Sequence, residues 1–157
     1  MTNNKKIKEL LLQVIELLDE PVTDFLTYEE AIEKAYDVNW HEKGVYKYMI
    51  NSKWTLVEDG VKVVDGVDDV YWYDKGVYKY EIDGKYTLIE NGVKLIEDAD
   101  WVYRYEKGVY RYEIRCKWTL VENGVKLVED VDDVYWYEKG VYDYEVDGKE
   151  YNINLNK

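Results

Sequence analysis

The sequence predicts a mainly β (α+β) protein: four tandem 32-residue antiparallel β-hairpin repeats in an open array, preceded by an N-terminal pair of helices. The string Lys-Gly-Val-Tyr recurs at a constant spacing of 32 residues, and a constant period is the signature of a repeat architecture. Asn-Gly and Asp-Gly pairs separate short alternating runs, which indicates β-hairpins. Two earlier segments carry apolar residues at helical spacing. The four strings begin at Lys43, Lys75, Lys107 and Lys139.

Residues 1–36 are predicted to form a helical cap. The first helix has one apolar stripe, and Pro21 ends it. The second helix opens with Thr27-x-x-Glu30, a capping box in which two side chains satisfy free backbone N–H groups. The pair is predicted to cover one end of the array, and the alternative is that it binds a partner. The first stripe comprises Ile7, Leu10, Leu11, Val14 and Leu18, with Asn3 or Asn4 as the N-cap.

Residues 37–157 are predicted to form the four-unit β-repeat array, with the last unit truncated. Each unit is expected to keep one face in water and to bury the other against its neighbours, because a single unit cannot bury its apolar face alone. Leu88 is assigned to that core and Lys79 to the water face. Leu88→Asp is therefore expected to unfold several units, and Lys79→Glu is expected to be silent. In the second unit the strands are predicted at Val70 to Tyr73, Val77 to Ile82, Lys85 to Glu90 and Val93 to Ile96.

The rival architecture is a small closed propeller with four blades. Common propeller repeats have about 40 residues, and the 32-residue period is short for a full blade. An open stack of repeats needs a cap at each end to cover its exposed strand edges. The helices at one end and the polar segment at residues 151–157 are predicted to be these caps. The open array is therefore the favoured prediction.

The net charge of −13 at pH 7 limits the kinds of partner. An acidic protein repels nucleic acid and anionic membranes, so we expect no direct nucleic-acid binding, no membrane association and a protein partner with a basic surface. One Cys excludes an intrachain disulfide. The sequence contains no signal-peptide pattern and no apolar run of membrane-spanning length. A soluble, cytoplasmic location in a bacterial cell or a phage-infected host is expected.

The hairpins resemble the WG or KWG type β-repeat of bacterial proteins. The family's Gly-Lys-Trp-Gly hairpin is matched at Lys53-Trp54, Asp83-Gly84-Lys85-Tyr86 and Lys117-Trp118, and its second turn at Asn91-Gly92 and Asn123-Gly124. The resemblance covers roughly residues 35–150 and implies a binding module. The sequence departs from the family at the Gly that follows Trp, which is replaced by Thr55, Thr87 and Thr119.

No constellation of residues indicates catalysis. His41 falls in the repeat slot that holds Tyr in the other units, so it is predicted to replace an aromatic side chain on a strand. Cys116 falls at a tight turn, without a neighbouring His to activate it. The acidic clusters between units lack the D-x-D-x-D-G spacing of calcium loops. We therefore expect a protein that is not an enzyme and that has no cofactor and no metal site.

The candidate site is a periodic row of tyrosines and carboxylates. Tyr is a preferred interface anchor, and carboxylates complement Lys and Arg on a partner. The row predicts a non-enzymatic module that binds a protein partner, unless half of the tyrosines pack between repeats. One alternative is a phage-type, anti-CRISPR-like inhibitor that mimics nucleic acid, and another is a carbohydrate-binding module. The candidate residues are Tyr71, Tyr73, Tyr103, Tyr105, Tyr135, Tyr137, Asp68, Asp69, Asp100, Asp132 and Asp133.

Overall fold

The computed structural model describes residues 6–7 and 24–157, which form a mainly β structure of 15 strands in four antiparallel sheets, with one short helix, α1 (Tyr28–Lys34). Consecutive strands pair within each sheet. The first sheet contains β1 (Asp37–Glu42), β2 (Val45–Ile50), β3 (Lys53–Glu58) and β4 (Val61–Val67). The second contains β5 (Asp69–Asp74), β6 (Val77–Ile82), β7 (Lys85–Glu90) and β8 (Val93–Ala99). The third contains β9 (Trp101–Glu106), β10 (Val109–Ile114), β11 (Lys117–Glu122) and β12 (Val125–Val131). The fourth contains β13 (Asp133–Glu138), β14 (Val141–Val146) and β15 (Lys149–Asn154).

Helix α1 begins at the predicted capping box. The Thr27 backbone N–H donates to Glu30 Oε2 at 2.9 Å, and the Glu30 N–H donates to Thr27 Oγ1 at 3.2 Å. Ala31 is fully buried against the first sheet. The other predicted helix lies outside the described residues, apart from residues 6–7, which are helical. In the described ranges, no helix is long and apolar enough to span a membrane. The side chains buried with Ala31 are Tyr46, Tyr48 and Val57.

Nearly continuous strands carry the chain from one sheet to the next. β4 ends at Val67 and β5 begins at Asp69, while the intervening Asp68 N–H already donates to Glu81 O of the second sheet at 2.8 Å. Among the described residues, no strand pairing joins the first sheet to the fourth. The hydrophobic clusters of the described residues also join the first sheet to the second, the second to the third and the third to the fourth, so the sheets follow one another without closing, as in an open array. The equivalent later links join Asp100 to Glu113 and Asp132 to Glu145.

The hydrophobic core lies between neighbouring sheets. Leu88, at the centre of β7, is fully buried, as are the equivalent Leu56 and Leu120. Because the Leu88 cluster joins the second sheet to the third, the sheets serve as each other's core. The core assignment of Leu88 is confirmed. The buried members of this cluster are Tyr86, Leu88, Ala99, Val102, Tyr110, Tyr112 and Val121.

The prediction that each unit keeps one wet face is wrong for the second sheet. Lys79 is only 8% exposed, and Tyr78 on the opposite face is 9% exposed. The second sheet lies between the first and the third, so both of its faces are covered. Lys79 is also the direct cross-strand partner of Leu88, which places the two side chains on the same face. The expectation that Lys79→Glu would be silent depended on a water-facing side chain, so we now expect this substitution to destabilise the fold.

The predicted turns are confirmed by their backbone angles. Asn91 and Gly92, between β7 and β8, have φ values of 52° and 76°, as a two-residue hairpin turn requires. Gly108 has a φ of 72°, and a Cβ at this position would lie 2.6 Å from Asn123 Oδ1. A side chain at Gly108 would therefore strain the backbone, and its Cβ would require the Asn123 side chain to move.

Candidate partner-binding face

Four of the six candidate tyrosines are exposed along the array. Tyr71, Tyr103, Tyr135 and Tyr137 have exposed fractions of 40%, 49%, 49% and 59%. Tyr71, Tyr103 and Tyr135 occupy equivalent positions on the second, third and fourth sheets, one repeat apart. Large apolar side chains that recur at one register on successive sheets form a row that a partner can contact.

Tyr73 and Tyr105 instead pack between sheets. The Tyr73 ring lies 5.5 Å from the Arg104 guanidinium. The Tyr105 ring lies 5.5 Å from the Trp136 ring, and its hydroxyl accepts a hydrogen bond from Trp136 N at 3.4 Å. Burial raises the pKa of both hydroxyls. These two residues mainly join neighbouring sheets.

The two residues singled out for reactivity lie where the repeat pattern predicts. His41 stacks on Trp72 at 5.3 Å, in the slot where Tyr105 meets Trp136, so it does replace an aromatic side chain. Burial, and then the nearby Lys47, lower the pKa of His41. Cys116 is exposed at a turn with a φ of 61°. In the part of the chain that the structure describes, no group of three or more His, Cys, Asp or Glu is arranged to hold a metal ion.

Three of the candidate aspartates lie at the boundaries between sheets. Asp100 accepts hydrogen bonds from Lys85 Nζ of the second sheet and, at 2.7 Å, from Arg115 N in a hairpin turn of the third. The lysine bond, and then the backbone N–H, lower the pKa of the Asp100 carboxyl. Asp100 therefore joins a hairpin turn of the third sheet to the second sheet. The equivalent sets are Asp68 with Lys53 and Asp83 N, and Asp132 with Lys117 and Asp147 N.

Replacing Asp100 by Asn should lower the melting temperature at pH 7. The folded-state pKa of Asp100 lies below its ordinary 3.8, so the carboxylate stabilises the fold above that value, and this contribution is lost as the pH falls through the folded pKa. The difference in melting temperature between wild type and variant should therefore close in acid. Thermal melts followed by circular dichroism across that pH range test this. Asp98→Asn, at an exposed position of β8 with a positive φ, is the control, and a difference that stays constant into acid would contradict the assignment.

Asp69 and Asp133 begin the first strands of the second and fourth sheets and lie beside the exposed tyrosines. Asp69 Oδ1 is 3.3 Å from Lys47 Nζ. Asp133 accepts from Arg111 Nη1 at 3.1 Å and from the Tyr135 hydroxyl at 2.7 Å. The Tyr135 bond to the carboxylate raises the pKa of that hydroxyl. The two aspartates thus hold basic side chains and a tyrosine in place along the row.

A line of buried or partly buried basic side chains was missed by the sequence analysis. Lys47, Lys79 and Arg111 are equivalent residues of β2, β6 and β10, and we call them the cation row. Lys79 Nζ donates to Val102 O at 3.0 Å and lies 4.8 Å from the Tyr71 ring centre. Burial lowers the pKa of Lys79. Each cation is thereby held between aromatic faces of its own sheet and a backbone carbonyl of the next sheet.

The rest of the cation row repeats this geometry. Lys47 Nζ lies 4.2 Å from the Trp54 ring and donates to Val70 O at 2.8 Å. Arg111 lies 4.4 Å from Trp118, and it also donates to the Val134 carbonyl oxygen. The sequence signal was a basic residue between two tyrosines, Tyr-Lys-Tyr or Tyr-Arg-Tyr, at the same repeat position. The alternation of a strand assigns such residues to water, because the two flanking tyrosines lie on the opposite face. The rings that contact the cations belong to neighbouring strands, so the sequence pattern alone does not show the cation–π contacts.

Comparisons with known proteins leave the chain without an assigned family. No protein-family model matches it, and no curated protein shows significant similarity. Among solved structures, the chain is similar to the computationally designed Ika8 protein, with a TM-score of 0.38 and 10% identity, over 74% of this chain and 44% of that one. A TM-score this low carries no argument about fold or function. The resemblance to WG-type repeats stays a prediction.

Proposed function

We propose that this chain is a non-enzymatic module that binds a protein partner with a basic surface through the row of exposed tyrosines and neighbouring carboxylates. The observation that carries the proposal is the 40–49% exposure of Tyr71, Tyr103 and Tyr135 at one repeat position of three successive sheets. Tyr side chains lose little conformational entropy on binding and often anchor interfaces. A net charge of −13 favours basic partners over acidic ones.

The proposal includes the organisation of the chain. We take the four sheets to be four 32-residue units, the last one truncated, behind a helical cap at residues 1–36 with two helices. The recurrence of one boundary hydrogen bond at Asp68, Asp100 and Asp132 supports this period. We place the protein in the cytoplasm of a bacterial cell or a phage-infected host, where its charge would keep it away from nucleic acid and anionic membranes.

An affinity pull-down with matched baits tests the proposal. The wild-type chain should retain a protein with a basic surface from a lysate of the source cell or its host. The Tyr71→Ala, Tyr103→Ala, Tyr135→Ala triple variant should lose it, because removing interface anchors weakens binding by roughly 30-fold or more. Tyr36→Ala is the control, since Tyr36 is 88% exposed but lies outside the row. Equal retention by both variants would contradict the proposal.

Elution with rising salt separates the protein-partner proposal from its alternatives. A partner that stays bound in high salt indicates contact with the tyrosine rings, because apolar contacts are not screened. A nucleic-acid-binding protein that elutes at modest salt, and that DNA displaces from the bait, would favour the mimic-type inhibitor. Capture of no protein, together with binding to an insoluble glycan, would favour the carbohydrate-binding module.

A further inference from the structure

The cation row ends in a carboxylate. Asp143 of β14 occupies the repeat position of Lys47, Lys79 and Arg111. It lies directly opposite Tyr135 in the strand pairing, just as Lys79 lies opposite Tyr71. The fourth sheet therefore keeps the tyrosine of the motif and replaces its cation by an anion.

Tyr135 consequently lacks one of the two cations that surround its counterpart. Tyr71 lies between Lys47 Nζ at 5.8 Å and Lys79 Nζ at 4.8 Å. The Tyr135 ring has Arg111 at 5.0 Å, and the position of the second cation is taken by Asp143. Tyr135 is nevertheless 49% exposed, so a cation from outside the chain can reach its ring.

A pocket opens at this place, and we call it the end pocket. It has a volume of about 200 Å³, which is enough for the end of one long side chain. Tyr137 at its wall donates to Asp143 Oδ2 at 2.8 Å. In the preceding sheets the equivalents of Tyr137 pack against the next sheet, whereas Tyr137 is 59% exposed. The lining includes Asp133, Tyr135, Tyr137, Asp143, Glu145 and Glu150.

The carboxylates of the end pocket face one another across the sheet. Glu145 is the direct cross-strand partner of both Asp133 and Glu150, and like charges directly opposite each other are destabilising. In the second sheet the residue at the Glu150 position is Tyr86 instead. Within residues 6–7 and 24–157, no ion pair involves Asp143, Glu145 or Glu150, and only Asp133 is paired, with Arg111. This arrangement complements an external positive charge.

We propose that the end pocket binds a lysine or arginine side chain of a partner protein, with its charged group where Lys79 and Arg111 lie in the preceding sheets. The cation contacts the free face of the Tyr135 ring and is attracted by the carboxylates of Asp143, Glu145 and Glu150. A partner bound in this way covers the fourth sheet, just as the second, third and fourth sheets each cover the preceding sheet. This inference rests on the proposed function and names one contact point of it.

An NMR titration of the full-length chain tests the pocket directly. The probe is N-acetyl-arginine amide, and N-acetyl-citrulline amide is its neutral match. The amide resonances of Tyr135, Asp143 and Glu145 should shift with the arginine probe. The citrulline probe should bind at least about tenfold more weakly, since it lacks the charge that makes a cation–π contact and charge-assisted hydrogen bonds. Equal responses to the two probes would overturn the proposal.

Two charge-matched variants separate the pocket from general attraction to an acidic protein. Asp143→Lys restores the basic residue of the repeat, so it should fill the pocket, raise the melting temperature and abolish the response to arginine. Glu33→Lys makes the same change in net charge on α1, next to the first sheet, and should respond like wild type. Equal loss of response in both variants would show attraction to net charge alone, and an unchanged response in Asp143→Lys would also overturn the proposal.

The same variants distinguish failure of the pocket from failure of the proposed function. If arginine causes no shift at the fourth sheet while a basic partner is still captured through the tyrosine row, the pocket proposal fails and the proposed function stands. If arginine binds at the pocket and no protein is captured, the proposed function fails instead. Loss of a captured partner on Asp143→Lys, with retention on Glu33→Lys, supports both.

Discussion

Leu88→Asp is expected to abolish cooperative folding of the second and third sheets together. Leu88 is fully buried in a cluster that also holds Val102 and Tyr110 of the third sheet. Truncating a buried Leu costs about 2–5 kcal/mol by itself, and an unpaired carboxylate in the same place adds a large desolvation penalty. Natural domains have only about 5–15 kcal/mol of stability in total. Circular dichroism and thermal melts should show a large loss of β structure at the temperature where the wild type is folded.

Two substitutions control for the Leu88 result. Leu88→Met keeps volume and polarity and should cost less than about 1.5 kcal/mol. Val93→Asp introduces the same charge on β8, where the side chain is 58% exposed, and should have little effect. A melting temperature of Leu88→Asp equal to that of wild type would mean that the second and third sheets do not pack through this residue.

Lys79→Glu is expected to destabilise the fold by about 3–5 kcal/mol, the range for leaving a buried charge without its partner. Lys79 Nζ donates to Val102 O and lies 4.9 Å from the Trp101 ring and 4.8 Å from the Tyr71 ring. A glutamate would place negative charge against a carbonyl oxygen and against the negative faces of two aromatic rings. Urea denaturation with a two-state fit would measure the loss.

The controls for Lys79 use the cation row itself. Lys79→Arg should retain most of the stability, because Arg111 fills the equivalent position on the third sheet. Lys79→Met keeps the apolar stem without the charge and should fall between the two. If Lys79→Glu were as stable as Lys79→Arg, the side chain would lie in water, as the alternation of the strand alone predicts.

Much of the local structure could be predicted because its causes lie in adjacent residues. The Asn91-Gly92 turn and the Thr27–Glu30 capping box are local signals, and β6 and β7 have the predicted bounds. Which faces are covered depends on neighbouring sheets. Strict alternation separates the two faces of β6 but does not show that both are buried, and so Lys79 was assigned to water.

In the candidate site, too, the sequence indicates some features, whereas others depend on contacts between sheets. The sequence places six tyrosines in the row but leaves open which of them pack between sheets. Tyr71 and its equivalents are exposed, whereas Tyr73 and Tyr105 contact the next sheet. The boundary role of Asp100 depends on a hydrogen bond to a turn in the following sheet, which no local pattern encodes. The end pocket does leave a trace in the sequence, because aligning the repeats sets Asp143 against Lys47, Lys79 and Arg111. This substitution indicates a pocket only when the stacking of the sheets is known.

The passage of β4 into β5 also has a mechanical consequence. In the described part of the chain, the sheets are joined in series by such continuous strands, so tension on the two chain ends passes through every sheet. Antiparallel hairpins loaded at their ends peel open one hydrogen bond after another. A released 32-residue unit would add roughly 110 Å of extended chain. The described sheets are thus linked in series, and a partner bound at the proposed end pocket would be connected to helix α1 through all of them.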